Sequence, residues 1–362
     1  MIIFILRKLG IKMGDRKEES SYRKIDYSIR PAKSVERKMI CDIIGRLAPI
    51  QKIDDYLYIG FGSVFFTDFI LFHKTFGFPK MVSIEKDIIE EERFRFNQPY
   101  GCIDLKFGLS TKILPTLNWE KPVLMWLDYD DPINENVFTD IGYFCTLANP
   151  NSIIILTVNA NVDRISWLSI KDTDKLAKER LKILEKQVSK ERIPIGVTGE
   201  HLDQEGKYKI LKRIIYNQIN EDVSDRNGLL ENGEKLVFHQ LFNFVYQDGA
   251  KMLTVGGILI KESESRTFSE LGFEKLPYSM PQEGAYEIVV PKLTFKEARY
   301  LDKLLPSEFE KLINEGENEA NQNQGKICAK NSFPVNFLPK DDLDNYRKIY
   351  RYFPNFVESE IK

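Results

Sequence analysis

Tyr56-Leu-Tyr-Ile-Gly60-Phe61-Gly62-Ser63, followed after an amphipathic run by Met81-Val-Ser-Ile-Glu85-Lys86-Asp87, reads as strand, glycine turn, helix, strand and acidic tip. The apolar run from Tyr56 to Ile59 stops at Gly60 and Gly62, and residues 64–76 are apolar enough for a buried crossover helix. Glycines at such a turn permit positive φ and leave room for a ligand against the main chain at the amino end of the helix. Glu85 ends the second strand 25 positions after Gly60. A dinucleotide-type fingerprint asks for an acid about 20 residues on, placed to accept hydrogen bonds from ribose hydroxyls.

The third glycine of that fingerprint is absent, because Phe65 stands in its place. The residues Tyr58-Ile-Gly60-Phe61-Gly62-Ser63, Ser83-Ile-Glu85-Lys86 and Leu127-Asp128-Tyr-Asp130 resemble the first, second and fourth motifs of class I S-adenosylmethionine-dependent methyltransferases. The resemblance spans roughly residues 54–260. It implies a Rossmann-like α/β fold with S-adenosylmethionine as cofactor. Gly60, Phe61, Gly62 and Ser63 would lie under the methionine part, Glu85 with Lys86 would hold the ribose, and Gly108 would end strand three beside the adenine. The fourth motif would face the transferred methyl group, with Asp130 as the base for a hydroxyl acceptor and Asp128 supporting the cofactor or a metal. Two departures stand out. The family usually carries an acid two positions before the first glycine, where this chain has Tyr58, and an acid beyond strand three, where this chain has Gly108-Leu-Ser110.

Working outward, Val123-Leu-Met-Trp-Leu127 is continuously apolar, as expected of a strand covered on both faces, and runs into Asp128, Asp130 and Asp131. A helix over 135–147 and a strand over 152–158 follow, the latter ending in Asn159-Ala-Asn161-Val-Asp163. Asp128 and Asp130 with a strand-five amide or acid are similar to the metal site of cation-dependent O-methyltransferases, and hard cations suit such oxygen ligands. The full family motif is absent, so no metal is assigned.

Residues 164–232 form a polar insertion with helical periodicity over 176–188 and 210–219. The runs 241–246 and 252–260 flank Gln247-Asp248-Gly249-Ala250 and predict an antiparallel hairpin. A mostly parallel sheet that ends in such a hairpin resembles the methyltransferase fold more than the dehydrogenase fold, whose sixth strand is parallel. The expected division is therefore a lead-in and helix over 1–53, a methyltransferase-like domain over 54–260 with its insertion, and a C-terminal extension over 261–362.

In the lead-in, Ser34 caps a predicted helix from Val35 to about Leu47, and Arg30 and Lys33 before it read first as solvated surface, with covering the cofactor or binding an anionic acceptor as the alternative. After Glu85 a charged helix over 87–96 precedes Asn97-Gln-Pro-Tyr100, which is similar to the Asn-Pro-Pro-Tyr motif of amino-methylating DNA enzymes but follows charged residues instead of an apolar strand. A helix-ending turn is the expected reading. In the extension, a strand over 286–290, a helix over 294–305, a flexible link over 315–325 and an aromatic-bearing helix over 341–353 are expected.

Composition bounds the function. The 52 basic and 54 acidic residues leave a net charge of −2, so no global field draws the chain to nucleic acid. Cys41, Cys102, Cys145 and Cys328 form no C-x-x-C pair, which disfavours zinc and disulfides and suggests a reducing, cytoplasmic setting. No run approaches the ~18 apolar residues a membrane span needs. Met1-Ile-Ile-Phe-Ile-Leu6 is too short for a signal core, and Met13 is a candidate start. The reading is a methyltransferase acting on an unidentified acceptor, possible as an oligomer. Its rivals are a nucleoside-binding sensor or scaffold without turnover and a nucleic-acid methyltransferase.

Overall fold

The structure, a computed structural model, describes residues 30–86, 88–163, 165, 172–229, 234–279, 284–306 and 337–354. The expectations for the lead-in before Arg30, for Asp87, for the link over 315–325 and for Cys328 lie outside the described residues.

Strands β1 (Leu57–Phe61), β2 (Met81–Glu85), β3 (Ile103–Phe107), β4 (Val123–Pro132) and β5 (Ile153–Asn159) are parallel. β6 (Leu236–Gln247) and β7 (Lys251–Lys261) form the hairpin, and β8 (Tyr286–Ile288) follows. All eight join one sheet in the order β3-β2-β1-β4-β5-β7-β6-β8. β7 runs antiparallel to both β5 and β6, so the predicted hairpin is present, with its reversed strand inserted inside the sheet. β8 adds a further parallel edge beside β6, pairing Phe244 with Tyr286.

Helices cover both faces. α1 (Pro31–Gly45), α2 (Thr67–Phe76) and α3 (Glu91–Asn97) come first, then a short α4 (Ser110–Ile113) and α5 (Glu135–Leu147). α6 (Thr173–Val188) and α7 (Lys207–Gly228) fill the insertion, and α8 (Ser265–Glu270), α9 (Phe295–Leu304) and α10 (Lys340–Ile349) lie in the extension. On one face Val35, Met39 and Ile43 of α1 and Phe69 and Phe72 of α2 pack with Tyr58, Trp126 and Phe244. On the other, Ile141 and Phe144 of α5 and Ile214 and Ile215 of α7 pack with Ile59, Met125 and Leu156. The two-sided burial of β1 and β4 explains their unbroken apolar runs.

α7 is therefore no peripheral addition: it is the crossover helix between β5 and β6. Its Arg226 donates from Nη1 to the carbonyls of Cys145 and Ala148 at 2.9 and 2.7 Å, closing the carboxyl end of α5. The extension also reaches the main core. Tyr278 and Tyr352 donate to Asp42 of α1 at 2.7 and 3.0 Å, and their rings pack beside Ile349 in the first core layer. Thr294 and Glu297 form the capping box that starts α9. No helix among the described residues is long and apolar enough to cross a membrane.

α1 starts earlier than the sequence suggested. Pro31 occupies its first turn, where a missing N–H costs nothing, and Ser34 is not its cap. The orphan amides of Ala32 and Lys33 donate instead to Asp248, at the hairpin turn, at 3.1 and 2.8 Å. Arg30 and Lys33 are not solvated surface. They are 7% and 0% exposed, because the helix enters over the sheet with its charged positions facing inward.

Candidate active site

The carboxyl ends of β1, β2 and β4 meet where an open α/β sheet takes its ligands. Glu85 is buried at the tip of β2, and its Oε1 accepts the Ser83 hydroxyl at 2.7 Å. A Cβ on Gly62 would stand 2.1 Å from Glu85 Oε1 and 2.2 Å from Ser83 Oγ. Glycine is required there because the carboxylate lies against the loop. A strand-tip carboxylate packed directly against a glycine turn is an acceptor that fits the hydroxyls of a ribose. Ser63 then turns the chain toward α2, its Oγ accepting from Phe65 N at 3.3 Å. Phe61 meets the Tyr129 ring edge-on at 5.0 Å on the opposite face.

Gly108 takes φ of 144°, a value that disfavours any side chain, and its N–H donates to the Glu85 carbonyl at 2.8 Å. Lys86 reaches Asp131 Oδ2 at 3.6 Å, so the tips of β2 and β4 are linked past β1. Both side chains are mostly exposed, and such a pair contributes little stability.

The position of the family's first acid is aromatic core here. Tyr58 is 1% exposed, and its ring meets Phe69 and Phe72 edge-on at 5.0 and 5.2 Å. A Cβ on Gly60 would lie 2.7 Å from the Tyr58 hydroxyl, so this glycine accommodates the phenol. Burial holds the phenol's pKa well above its ordinary value. Asp68 of α2 pairs with Arg37 of α1, and burial of Arg37 is outweighed by that carboxylate, which keeps the guanidinium charged. Behind the Gly108-Leu-Ser110 turn, buried Asp140 of α5 accepts from Ser110 Oγ at 2.5 Å and Tyr129 Oη at 2.7 Å. Burial pushes Asp140 up to about 6, against the pull of those two hydroxyls.

Of the β4 acids, Asp128 is committed inward. Lys33 Nζ lies 2.9 Å from Asp128 Oδ2 and 2.8 Å from Glu36 Oε2, with both Lys33 and Glu36 side chains fully buried. Burial opposes the Lys33 charge, but Asp128 and Glu36 outweigh it and hold the pKa well above its usual value. Burial pushes Glu36 upward. Asp130 and Asp131 are exposed at the far end of β4, where Asn159 Nδ2 donates to the Asp130 carbonyl at 3.4 Å. The strand-five residues look elsewhere: Asn161 Oδ1 accepts from Lys251 N at 2.9 Å, and Asp163 pairs with Lys207 at 2.7 Å. Among the described residues no three His, Cys, Asp or Glu side chains converge as metal ligands.

Asn97 and Gln98 end α3. Asn97 Nδ2 donates to the Arg93 carbonyl at 2.8 Å, and Gln98 Nε2 to those of Tyr100 and Ile103 at 3.0 and 2.9 Å. These bonds make the tetrapeptide the helix-ending turn that its charged lead-in suggested.

The family model described as "Putative O-methyltransferase" matches residues 25–361 of the 362. The chain belongs to this family. The match takes in α1 and the extension as well as the central sheet, so the helix carrying Lys33 is part of the family's common chain. A comparison with curated proteins finds no match. Among solved structures, the chain is similar to cofactor-bound Rv0187 from MTB at 13% identity and a TM-score of 0.35, over 72% of this chain and 90% of that one. It is similar to the O-methyltransferase TomG from Streptomyces achromogenes, solved with SAM, at 11% and 0.34, over 65% and 91%. A further likeness is to the O-methyltransferase from Bacillus cereus, solved with SAH, at 11% and 0.32, over 71% and 88%. These likenesses are too loose to carry residue roles across.

The residues that sequence reading missed are Lys33, Glu36, Arg37, Asp68, Asp140 and Asp248. Only Pro31 signalled the earlier helix start, which would have put positions 33, 36 and 37 on a helix beside Val35 and Met39.

Proposed function

We propose that the chain transfers a methyl group from S-adenosylmethionine to a hydroxyl oxygen of an acceptor. The observation that carries this is the Glu85 carboxylate seated against Gly62 at the tip of β2, in a chain whose family is one of O-methyltransferases. When bound, the cofactor supplies an electrophilic methyl group on its sulfonium. Glu85 accepts hydrogen bonds from the ribose hydroxyls, with Lys86 beside it, and Gly60, Phe61, Gly62 and Ser63 offer main chain to the methionyl part. Gly108 and Ser110 border the base. Asp128, held by Lys33, supports the cofactor, and exposed Asp130 takes the hydroxyl proton of the acceptor. General-base assistance of this kind is worth about 10²- to 10⁴-fold in rate. The free thiols of Cys41, Cys102 and Cys145 support a cytoplasmic setting.

The test is release of S-adenosylhomocysteine on incubation with S-adenosylmethionine and a panel of phenols, alcohols and carboxylic acids. Turnover with at least one hydroxyl acceptor, lost in Asp130→Asn while cofactor binding persists, is the expected result. Turnover only with amine acceptors overturns the oxygen assignment. Tyr58 in place of the family's acid favours a second reading, a nucleoside-binding protein that transfers no methyl. Binding without turnover across the panel would identify it.

A further inference from the structure

Lys33 is fully buried, and its ammonium lies between two carboxylates and two aromatic rings, one of them Tyr246 at 5.5 Å. Its ammonium bridges Asp128 and Glu36 and stands 4.6 Å from the centroid of the Trp126 ring. Glu36 is in turn tied to the sheet. Trp126 Nε1 donates to Thr157 Oγ1 at 3.1 Å, and because the one Thr254 hydroxyl proton is committed to Glu36, Thr157 is the donor in its 2.9 Å bond to Thr254 Oγ1. The Thr254 hydroxyl donates to Glu36 Oε1. One line of bonds thus runs from β4 through β5 and β7 to α1. The main chain is fixed as well, since the Lys33 N–H donates to Asp248 at 2.8 Å.

A buried ammonium adds little net stability over an apolar side chain of similar volume, so stability alone does not account for this arrangement. Asp128 provides a second observation. Its Oδ2 faces Lys33, while its Oδ1 is buried with no hydrogen-bond partner among the described residues. An orphaned carboxylate oxygen at the carboxyl end of β4 is a place for a ligand's N–H donors.

We propose that Lys33 is a positioning residue that fixes Asp128 so that Asp128 Oδ1 receives the amino group at the amino-acid end of the bound nucleoside. The proposal rests on the reading of this site as the S-adenosylmethionine site. It answers how that amino group is held in a chain where Tyr58 replaces the family's acid: the carboxylate comes from β4, and α1 sets its orientation.

The test compares S-adenosylhomocysteine with 5′-methylthioadenosine, which keeps the nucleoside and the sulfur but lacks the amino-acid end. Both are titrated into the full chain, into Asp128→Asn, into Lys33→Arg, and into the charge-balanced double variant Lys33→Met/Glu36→Gln, with thermal melts to verify folding. The double variant is expected to weaken S-adenosylhomocysteine about tenfold or more while changing 5′-methylthioadenosine less than about twofold. Lys33→Arg recovers most of the loss. Added to Asp128→Asn, the double substitution weakens binding less than about twofold further, because Lys33 acts through Asp128. Equal weakening of both ligands, no weakening of either, or additive losses overturn the proposal. A wild-type chain that binds neither nucleoside overturns the cofactor reading itself, and the role of Asp128 with it.

Discussion

The Glu85 carboxylate occupies the space that a side chain on Gly62 would need, its Oε1 lying 2.1 Å from the position of an added Cβ. The strand-tip acid and the glycine loop are therefore one unit. Gly62→Ala should push the carboxylate off its seat and weaken nucleoside binding about tenfold or more, roughly 1.4 kcal/mol. Gly45→Ala is the control, since nothing lies within 4 Å of its added Cβ, and alanine in a helix should be neutral or slightly stabilising. Titration with S-adenosylmethionine separates the two. Unchanged binding by Gly62→Ala would uncouple loop and acid.

Asp140 should make stability depend on pH. Its folded value of about 6 lies above the ordinary 3.8, so the folded state binds the proton more tightly. The protonated form's advantage is complete below pH ~4 and is lost as pH rises through about 6, on the order of 3 kcal/mol at most. Asp140→Asn is neutral throughout and can accept from both Ser110 and Tyr129 through its amide oxygen. Relative to wild type it should gain stability between pH 4 and pH 7, as measured by urea midpoints across that range. Parallel curves for the two proteins would contradict the shift.

Asp248→Ala should detach the start of α1 from the hairpin turn. Two orphan amides lose their acceptor, a loss comparable to deleting a helix cap, about 1 kcal/mol. For a chain of this size that lowers the melting midpoint by roughly 2–4 °C. Asp248→Asn, which keeps one acceptor oxygen, should fall between. A variant that melts with wild type would show that α1 is held by its apolar face alone.

The sheet was legible because its signals are local. Gly60 and Gly62 punctuate an apolar run, residues 123–127 are apolar without a break, and Asp248-Gly249 separates two β-rich segments. Those features fixed the strand sequence and the reversed hairpin before any contact was known. The inward charges of α1 were illegible because their partners lie far along the chain. Asp248 is 215 positions from Lys33, and Thr254 is 218 from Glu36. A lysine or glutamate without its partner in view reads as solvated, and only the tertiary pairing reverses that. The extent of β4 was misjudged for a similar reason. Asp128 and its neighbours look like a loop, yet pairing with β5 carries the strand to Pro132. Asp140 reads as one more acid in an amphipathic helix until Ser110, 30 positions earlier, is brought against it.

The most direct test of the account is calorimetric titration of S-adenosylmethionine into the wild-type chain and into Glu85→Ala. The account predicts saturable binding to the wild type and a loss of about tenfold or more in the variant, consistent with hydrogen bonds to a charged acceptor worth roughly 1.5 to 3 kcal/mol. Equal affinity for both proteins, or no binding to the wild type, would contradict it.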